Sequence, residues 1–493
     1  MSSSLQPSPT ILLPHLPPKT LVGIDLITFT STPKFHGIRD LPRGWHFLYT
    51  GTTESLSLRC GAWFYVGDIS TAGHGQNDSA IVVRDQNTGP EIFIWKWNTD
   101  TESLSSLRND HDSDRQEAMR FKANLGGIWQ TGGLFRYRSR VSPAMLSNQP
   151  GSTLESTPNP PQAPQAEEDE ETEESGRRDW QQLTDWISPS LLTRIIGSPE
   201  IDVDDHPRWD LTSAGTADRD ADHIPGLDKL KEKPSEDPET PENRAEEEKE
   251  LGFLPIDLKQ TWREGAIGRE RTDAAQDRSW ALGDLIIRNS ASVSGEITVD
   301  ERTGEIQLLG ELQFTFIMVI TMMNFSCLQQ WKRLLGLILT CQQAIVDRET
   351  FMSDVVRLLL CQLQRCDDVE GGLFEIDGDE GGKFLLDLLK KLRRAVDQVV
   401  EKGTQSKVKT ELEKLEAWVK EEYDWELTHE DILKRGTIQL EDGEEIEVEM
   451  EDNDEYEETG EYAPVIVDLD ESSAVSDVLS DDGEMSDLED MRY

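Results

Sequence analysis

Residues 305–326 read EIQLLGELQFTFIMVITMMNFS. This stretch decides the fold because, wound as a helix, it carries apolar side chains on nearly every face. A helix that is apolar all round is buried, in the core of a large protein or in a membrane. Its most apolar part, residues 312–327, also contains five polar residues: Gln313, Thr315, Thr321, Asn324 and Ser326. That part falls short of the ~18 apolar residues that a spanning helix needs. We therefore predict the central helix of a soluble helical domain.

Around this helix, apolar residues recur at three- and four-residue spacings, which indicates amphipathic helices. The pattern predicts helices over residues 280–289, 305–326, 329–345, 348–366, 382–402 and 405–424. They define an all-α C-terminal domain over residues 251–435. Four of the five cysteines lie in it, where a free cysteine behaves as a small buried hydrophobe: Cys327, Cys341, Cys361 and Cys366. This usage of cysteine indicates a reducing compartment.

The N-terminal part predicts β-structure. Short runs of β-branched and aromatic residues, punctuated by Gly, Pro, Asn and Asp, lie at 21–29, 45–49, 56–66, 80–83 and 91–97. We predict a β-rich domain over residues 19–140, either a β-sandwich or a half-open barrel, with one helix near 114–124, preceded by a disordered N-terminus over residues 1–18. The chain is therefore expected to be an α+β protein of two domains.

Charge is distributed unevenly along the chain, whose formal net charge is −48. Residues 142–304 hold 17 basic and 37 acidic side chains. Within them, Pro, Gln, Ser and Glu dominate residues 142–179, and such a composition buries too little apolar area to offset chain entropy. We predict a largely disordered acidic linker over residues 141–250, with a docked helical segment near 180–197. Ser188 is its predicted N-cap, and Gly197 its end. Bulk acidity argues against nucleic acid as the main ligand, because phosphate binding needs clustered Lys and Arg.

The tail over residues 436–493 is the most acidic part: residues 437–493 contain 23 Asp and Glu and a single basic residue, Arg492. One apolar, β-favouring run stands in it, formed by Pro464, Val465, Ile466, Val467, Asp468 and Leu469. An extended run of this kind can add a strand to the exposed sheet edge of a partner protein. A chance apolar patch in a solvated tail is the competing interpretation. Ser476, Ser480 and Ser486 are candidate phosphorylation sites whose modification would weaken or redirect tail binding.

No catalytic signature is present in the sequence. We find no phosphate-binding Gly-Lys-Ser/Thr loop, no dinucleotide-binding glycine triplet after a strand and no His-Glu-x-x-His. His36 and His46 are interpreted as structural histidines. Trp331, Lys332 and Arg333 are either a contact for an acidic or RNA-rich partner or a core tryptophan flanked by solvated charges. We expect no catalytic residues, metal, cofactor, small-molecule substrate or membrane.

Two blocks carry a family resemblance. The first comprises GIDL at 23–26, PKFHGI at 33–38 and LPRGWHF at 41–47; the second comprises LGELQFTF at 309–316 and QWKRLL at 330–335. In their order and separation they resemble the A1-cistron splicing factor family, which consists of assembly factors of the U5 snRNP. The resemblance covers roughly residues 19–140 and 250–425 and is weaker over 177–200.

The resemblance implies a non-enzymatic assembly chaperone with a β-sandwich-like N-terminal domain and a VHS-like helical domain. It implies binding to the large U5 scaffold protein, at its RNase-H-like and Jab1/MPN-like domains, and exclusion of the helicase that docks later. It also associates the tail with strand addition, for which residues 464–469 are the candidate. Nucleus and cytoplasm are the expected locations.

Three other functions remain open from the residues. An acidic chaperone for histones or ribosomal proteins shares the charge argument, but predicts that the acidic segments carry all of the binding. An enzyme requires a cleft of convergent ionisable groups with perturbed titration. A membrane-trafficking adaptor is suggested only by the type of helical bundle, and fold alone does not determine function.

Overall fold

The structure of the chain is a computed structural model. It describes residues 8–52, 58–69, 91–109, 111–140, 163–217, 250–294, 300–366, 380–400, 406–427, 434–439 and 445–450. The chain divides into two units, Met1–Ile432 and Leu433–Tyr493. The first unit combines a β-rich N-terminal region with a helical C-terminal region, which confirms the predicted α+β class.

Two sheets make up the β-rich region. Their strands are β1 Thr10–Leu12, β2 Leu21–Ile24, β3 Ile27–Thr30, β4 Gly37–Arg39, β5 Gly44–Gly51, β6 Arg59–Val66, β7 Ile92–Asn98, β8 Ser103–Ser106, β9 Leu134–Arg136, β10 Glu200–Ile201 and β11 Pro207–Thr212. One sheet has the order β8-β7-β1-β4-β9, with β1 parallel to β7 and β4 parallel to β9. The other sheet is antiparallel, in the order β10-β11-β6-β5-β2-β3.

The antiparallel sheet is buried on both faces because its two central strands are apolar on both. Strands β5 and β6 pair Phe47 with Trp63 and Leu48 with Ala62. Side chains alternate between faces along a strand. Leu48 and Ala62 face the core between the two sheets, together with Ile11. The opposite face, with Trp63, turns toward the helices.

Eleven helices lie in the described residues. They are α1 Asp112–Gln130, α2 Ala163–Thr184, α3 Pro189–Ile196, α4 Arg269–Gln276, α5 Ser279–Ser294, α6 Glu301–Met322, α7 Phe325–Ile338, α8 Ala344–Asp347, α9 Glu349–Leu363, α10 Glu380–Val399 and α11 Lys407–Tyr423. Helix α6 contacts α2, α3, α5, α7 and α9 and strand β6, so the predicted central helix is confirmed. It has the length and apolarity of a membrane span, and most of it is buried inside the protein.

Polar caps set the limits of the central helices. The side chain of Asp300 accepts a hydrogen bond from the backbone N–H of Arg302 and so begins α6 four residues earlier than predicted. Met323, in the left-handed conformation, ends it. Asn324 then caps α7 by accepting from the N–H of Cys327 at 2.8 Å. The segment predicted as one helix over 329–345 is instead two helices, because α7 ends at Ile338 and the short α8 begins at Ala344.

A group of four tryptophans joins the sheet to the helices, and we call it the tryptophan seam: Trp45, Trp63, Trp180 and Trp209. Trp45 donates its Nε1–H to the carbonyl of Ile187 at 2.8 Å, and Trp180 donates to the carbonyl of Trp45 at 2.8 Å. The ring of Trp63 stacks on that of Trp180, with centroids 6.0 Å apart. These contacts hold α2 and the start of α3 against the β-rich region.

Two expectations about disorder are wrong. Residues 10–12 are strand β1, between β4 and β7, because Ile11 and Leu12 fill buried positions in the sheet and its core. Within the predicted linker, helix α2 begins at Ala163 and its second half is anchored to the seam through Trp180. The predicted strand over 80–83 lies outside the described residues.

Two further segments of the predicted acidic regions contain strands. In the linker, β11 pairs with β6 and places Trp209 opposite Trp63, which extends the N-terminal sheet. In the tail, Lys434–Gln439 (β12) and Glu445–Met450 (β13) form an antiparallel pair in the second unit. Apolar and acidic residues alternate over 445–450, as they do in a strand. The prediction from the net charge of the whole tail overlooked this alternation.

Replacing Gly310 with alanine is expected to destabilise the fold by about 1–3 kcal/mol. A Cβ at this position of α6 would lie 2.6 Å from the carbonyl oxygen of Trp186 and 2.8 Å from a methyl group of Leu191. Chemical denaturation measures the effect. The matched control is Gly126→Ala in α1, where a Cβ meets nothing within 4 Å and alanine favours the helix. Equal stability changes in the two variants would contradict the close approach at Gly310.

Candidate protein-binding surfaces

The partner-binding and phosphorylation residues predicted from the sequence lie outside the described residues. This applies to Pro464, Val465, Ile466, Val467, Asp468 and Leu469 and to Ser476, Ser480 and Ser486. They remain predictions. The described residues instead show what the two motif blocks do and which outward-facing features the fold creates.

The first motif block closes a buried network around Asp25. Its Oδ2 accepts hydrogen bonds from Nδ1 of His46 at 2.8 Å and from the hydroxyl of Tyr137 at 2.6 Å. Its Oδ1 accepts from the backbone N–H of Phe47 at 2.9 Å. The other ring nitrogen of His46 faces the carbonyl of Pro42 at 2.9 Å. Because both ring nitrogens face acceptors, the geometry suits a protonated imidazolium paired with the Asp25 carboxylate.

Titration of this network follows from its burial. Burial by itself lowers the pKa of His46, but the charge and hydrogen bond of Asp25 and the Pro42 carbonyl outweigh burial and raise that pKa above its ordinary value of 6.5. Burial and the neighbouring Asp25 carboxylate raise the pKa of Tyr137 well above 10. The interpretation of His46 as a structural histidine is confirmed by these contacts.

The second motif block forms a buried network around Glu311 of α6, whose side chain is fully buried. Its carboxylate accepts from the backbone N–H of Leu254 at 3.0 Å and from the side-chain amide of Gln330 at 2.8 Å. It also pairs with the guanidinium of Arg194 at 2.7 Å. Gln330 in turn donates to the carbonyl of Leu254 at 2.9 Å. One carboxylate thereby connects α3, the segment near Leu254, α6 and α7.

Gln313 lies two residues further along α6 and binds the end of α2 and the α2–α3 connection. Its Oε1 accepts from the N–H of Trp186 at 2.9 Å, and its Nε2 donates to the carbonyl of Gln182 at 2.8 Å. Trp331 is a core residue that donates to Oε1 of Gln362 at 3.1 Å. Its neighbour Arg333 is also buried, so the interpretation of this tryptophan as flanked by solvated charges is wrong on that side.

Asp202, Asp204 and His206 bring three potential metal ligands within 4.8 Å of one another. Asp202 is buried and accepts through Oδ1 from the N–H groups of Asp204 and His206, at 2.8 and 2.9 Å. Asp204 pairs with Lys122 at 2.6 Å. The hydrogen bonds of Asp202 stabilise the turn between β10 and β11, and the pair of Asp204 with Lys122 fastens that turn to α1. These contacts explain why the three side chains lie together.

Outward-facing apolar side chains mark a different part of the molecule. Trp280 and Ile287 are each 44% exposed and stand seven residues apart on α5, so they share one helical face. Val346 of α8 is 55% exposed. Ser279 of α5 accepts from the N–H of Ala344 at 3.1 Å, which holds α8 beside the start of α5. The seven-residue spacing was visible in the sequence, but core faces show the same spacing, so only the structure identified this face as exposed.

Comparison with known proteins gives matches over most of the chain. Residues 7–197 match the family model of the AAR2 N-terminal domain, and residues 253–428 match that of the AAR2 C-terminal repeat region. The chain is 23% identical over 372 residues to the Protein AAR2 homolog of Macaca fascicularis and to that of Homo sapiens, which covers 72% of this chain and 75% of each relative. It is 22% identical over 438 residues to the Protein AAR2 homolog of Mus musculus, which covers 85% and 90%. The two matched regions contain both motif blocks.

Proposed function

The chain belongs to the AAR2 family, and from this membership we propose that it is an assembly chaperone that binds the large scaffold protein of the U5 snRNP and blocks premature docking of the helicase. AAR2 proteins are assembly factors of the U5 snRNP in pre-mRNA splicing, and this chain shares that role. That it acts without catalysis is part of the proposal. The partner, its domains and the exclusion of the helicase are the proposed part.

The observation that carries the proposal is the internal use of the polar motif residues. Asp25, Glu311 and Gln313 bind this chain's own backbone and side chains. An enzyme needs polar groups that converge on a substrate, whereas a protein that holds two domains of a partner needs a rigid frame. The tryptophan seam provides such a frame between the β-rich and helical regions, and the Glu311 network fastens α3, α6 and α7 to one another.

The acidic tail supplies the second part of the proposed mechanism. Residues 464–469 add a strand between the RNase-H-like and Jab1/MPN-like domains of the scaffold, where backbone hydrogen bonds provide affinity and alternate side chains provide specificity. Phosphorylation of Ser476, Ser480 or Ser486 adds about −1.5 to −2 charges per site and weakens this contact. The chaperone acts in the cytoplasm and the nucleus, where the particle is assembled and used.

Affinity purification of the full-length chain from cells, followed by mass spectrometry, tests the proposal. We expect to recover the U5 scaffold protein without its helicase. A variant carrying Val465→Ser, Ile466→Ser and Val467→Ser is expected to recover at least about fivefold less scaffold, which corresponds to roughly 1 kcal/mol. The matched control carries Val475→Ser, Val478→Ser and Leu479→Ser, three apolar positions elsewhere in the tail.

The outcomes separate the candidate functions. Recovery of histones or ribosomal proteins in place of the scaffold would support an acidic chaperone of general type. Equal loss in both tail variants would contradict a specific role for residues 464–469. In the purified complex, phosphorylation of the tail serines should increase the rate of scaffold release, and an unchanged rate would exclude the proposed switch.

A further inference from the structure

A cleft of about 490 Å³ lies between helices α5, α6 and α8, and its lining residues belong to neither motif network. Its lining includes residues of all three helices and the residue after α8, among them Gly283, Glu301, Arg302, Glu305, Asp347 and Arg348. This volume is within the range of pockets that hold a ligand or a large side chain. The function proposed above assigns no role to this cleft.

An apolar helix face borders the cleft. Trp280, Gly283 and Ile287 lie within one narrow arc of α5 because they are three, four and seven residues apart. Gly283 lines the cleft, so the two exposed apolar side chains stand beside its opening. Val346, also exposed, adjoins the lining residue Asp347 on α8. Large apolar side chains that cluster on a surface commonly mark a protein-binding site.

Charges in the cleft favour a cation. Arg348 pairs with Glu301 at 2.8 Å and with Glu305 at 3.0 Å. Arg302 pairs with Glu305 at 3.1 Å and with Asp354 at 3.1 Å. Each of these arginines is thus already shared between two carboxylates.

Asp347 adds a carboxylate that no cation balances. It accepts from the amide of Gln343 at 3.2 Å and forms no ion pair in the part of the chain that the structure describes. Glu301 has more than half of its side chain exposed at the cleft. The lining residues therefore carry three carboxylates and two guanidinium groups, an excess of negative charge that an incoming Lys or Arg would neutralise.

Gly283 keeps the cleft open. Gly283 lies in the second turn of α5, and glycine inside a helix is less favourable than alanine. A Cβ here would meet only the guanidinium of Arg348, at 3.8 Å, and has ordinary room. A larger side chain at this position would instead extend into the cleft.

We propose that this cleft, together with the exposed face of α5, binds a segment of the partner protein in which a Lys or Arg is flanked by apolar residues. The cation enters between Glu301 and Asp347, and the apolar neighbours pack on Trp280 and Ile287. An aromatic face such as that of Trp280 also attracts cations. The identity of the partner as the U5 scaffold protein rests on the proposed function.

The test measures the affinity of the purified full-length chain for purified U5 scaffold protein by titration calorimetry. The double variant Trp280→Ser/Ile287→Ser and the cleft-filling variant Gly283→Leu are each expected to weaken binding at least tenfold. Asp347→Asn is expected to weaken it about three- to fivefold. Gly283→Ala and the surface control Met119→Ser, on α1, should stay within twofold of the wild type.

Circular dichroism and thermal unfolding establish that each variant is folded. If leucine at position 283 disturbs the helix, the double variant and Asp347→Asn decide the test. Wild-type chain that fails to bind the scaffold overturns the proposed function itself. Wild-type binding with unchanged affinity in the double variant and in Asp347→Asn overturns the cleft alone. A wild-type dimer that the double variant converts to monomer in sedimentation would reassign the face to contact between copies of this chain.

Discussion

Replacing Glu311 with alanine is expected to lower the free energy of unfolding by about 3–5 kcal/mol. The change removes a fully buried carboxylate. It leaves the N–H of Leu254 and the amide of Gln330 without their acceptor and the guanidinium of Arg194 without its counter-ion. Removing one member of a buried charged network costs more than the network contributes, because the remaining groups stay desolvated. Urea denaturation measures the effect as a lower midpoint at an unchanged slope.

Two further variants show whether the effect comes from the buried charge. Glu311→Gln keeps one acceptor oxygen, so we expect a smaller loss of about 1–3 kcal/mol. Glu421→Gln, at an exposed position on α11, should change stability by less than about 0.5 kcal/mol. Amide exchange gives a local readout, since the Leu254 N–H should lose protection in Glu311→Ala before the rest of the fold does. A Glu311→Ala protein within 1 kcal/mol of the wild type would contradict the role assigned to this network.

Much of the fold could be predicted from local signals. The apolarity of residues 305–326 on all sides predicted a central helix, because only a helix packed on several sides can bury such a surface. The Ser188 cap is present as predicted: its hydroxyl accepts from the N–H of Leu191 at 3.2 Å, and Gly197 ends the helix. Caps and periodicity are properties of neighbouring residues, so they can be read without knowledge of tertiary contacts.

Such local signals could not predict the pairing of strands that lie far apart in the sequence. Strand β1 is three residues long, and β11 pairs with β6 across well over a hundred residues. Strand β1 is too short to be identified alone, and β11, at six residues, lies in a segment whose average charge predicted a linker. The acidic average over residues 142–304 also concealed Trp209 and the anchored half of α2, because charge in one segment says nothing about burial in the next.

For the candidate sites, the sequence located the motif residues but not their role. Glu311 was noticed only through a family resemblance, and Gln313 otherwise only as a polar residue that argues against a membrane span. The structure shows that both fasten the chain to itself. The α5 face was missed because Trp280 and Ile287 have the spacing of a core stripe. Whether such a stripe faces the core or solvent depends on which neighbouring helices cover it.

Replacing Asp25 with alanine is expected to destabilise the chain by about 3–5 kcal/mol, comparable to the loss at Glu311. The variant leaves the imidazolium of His46 and the hydroxyl of Tyr137 buried without their shared acceptor. Asp25→Asn retains an acceptor oxygen but loses the charge that holds His46 protonated, so a smaller loss is expected. Thermal and urea unfolding measure both, with Asp100→Asn in an exposed turn of the β-rich region as the matched control.

The same pair gives a pH dependence of defined sign. The pKa of His46 is raised in the folded chain, so its pairing with Asp25 contributes its full stability below about pH 6.5, the unfolded value, and loses that contribution as pH rises through the folded value. The pKa of His206 is raised too, by its hydrogen bond to Asp202 and nearby carboxylates that outweigh burial. The stability of the wild type minus that of His46→Gln, taken at each pH, removes that second contribution.

This difference should decline as pH increases from 6 to 9. NMR titration of the His46 ring supplies an independent measurement, since its midpoint must lie above 6.5 if the imidazolium is the stable form in the core. A midpoint below 6.5, or a stability difference that rises with pH, would mean that burial outweighs Asp25 and that the network is held by neutral hydrogen bonds. The first motif block would then stabilise the β-rich region without an internal ion pair.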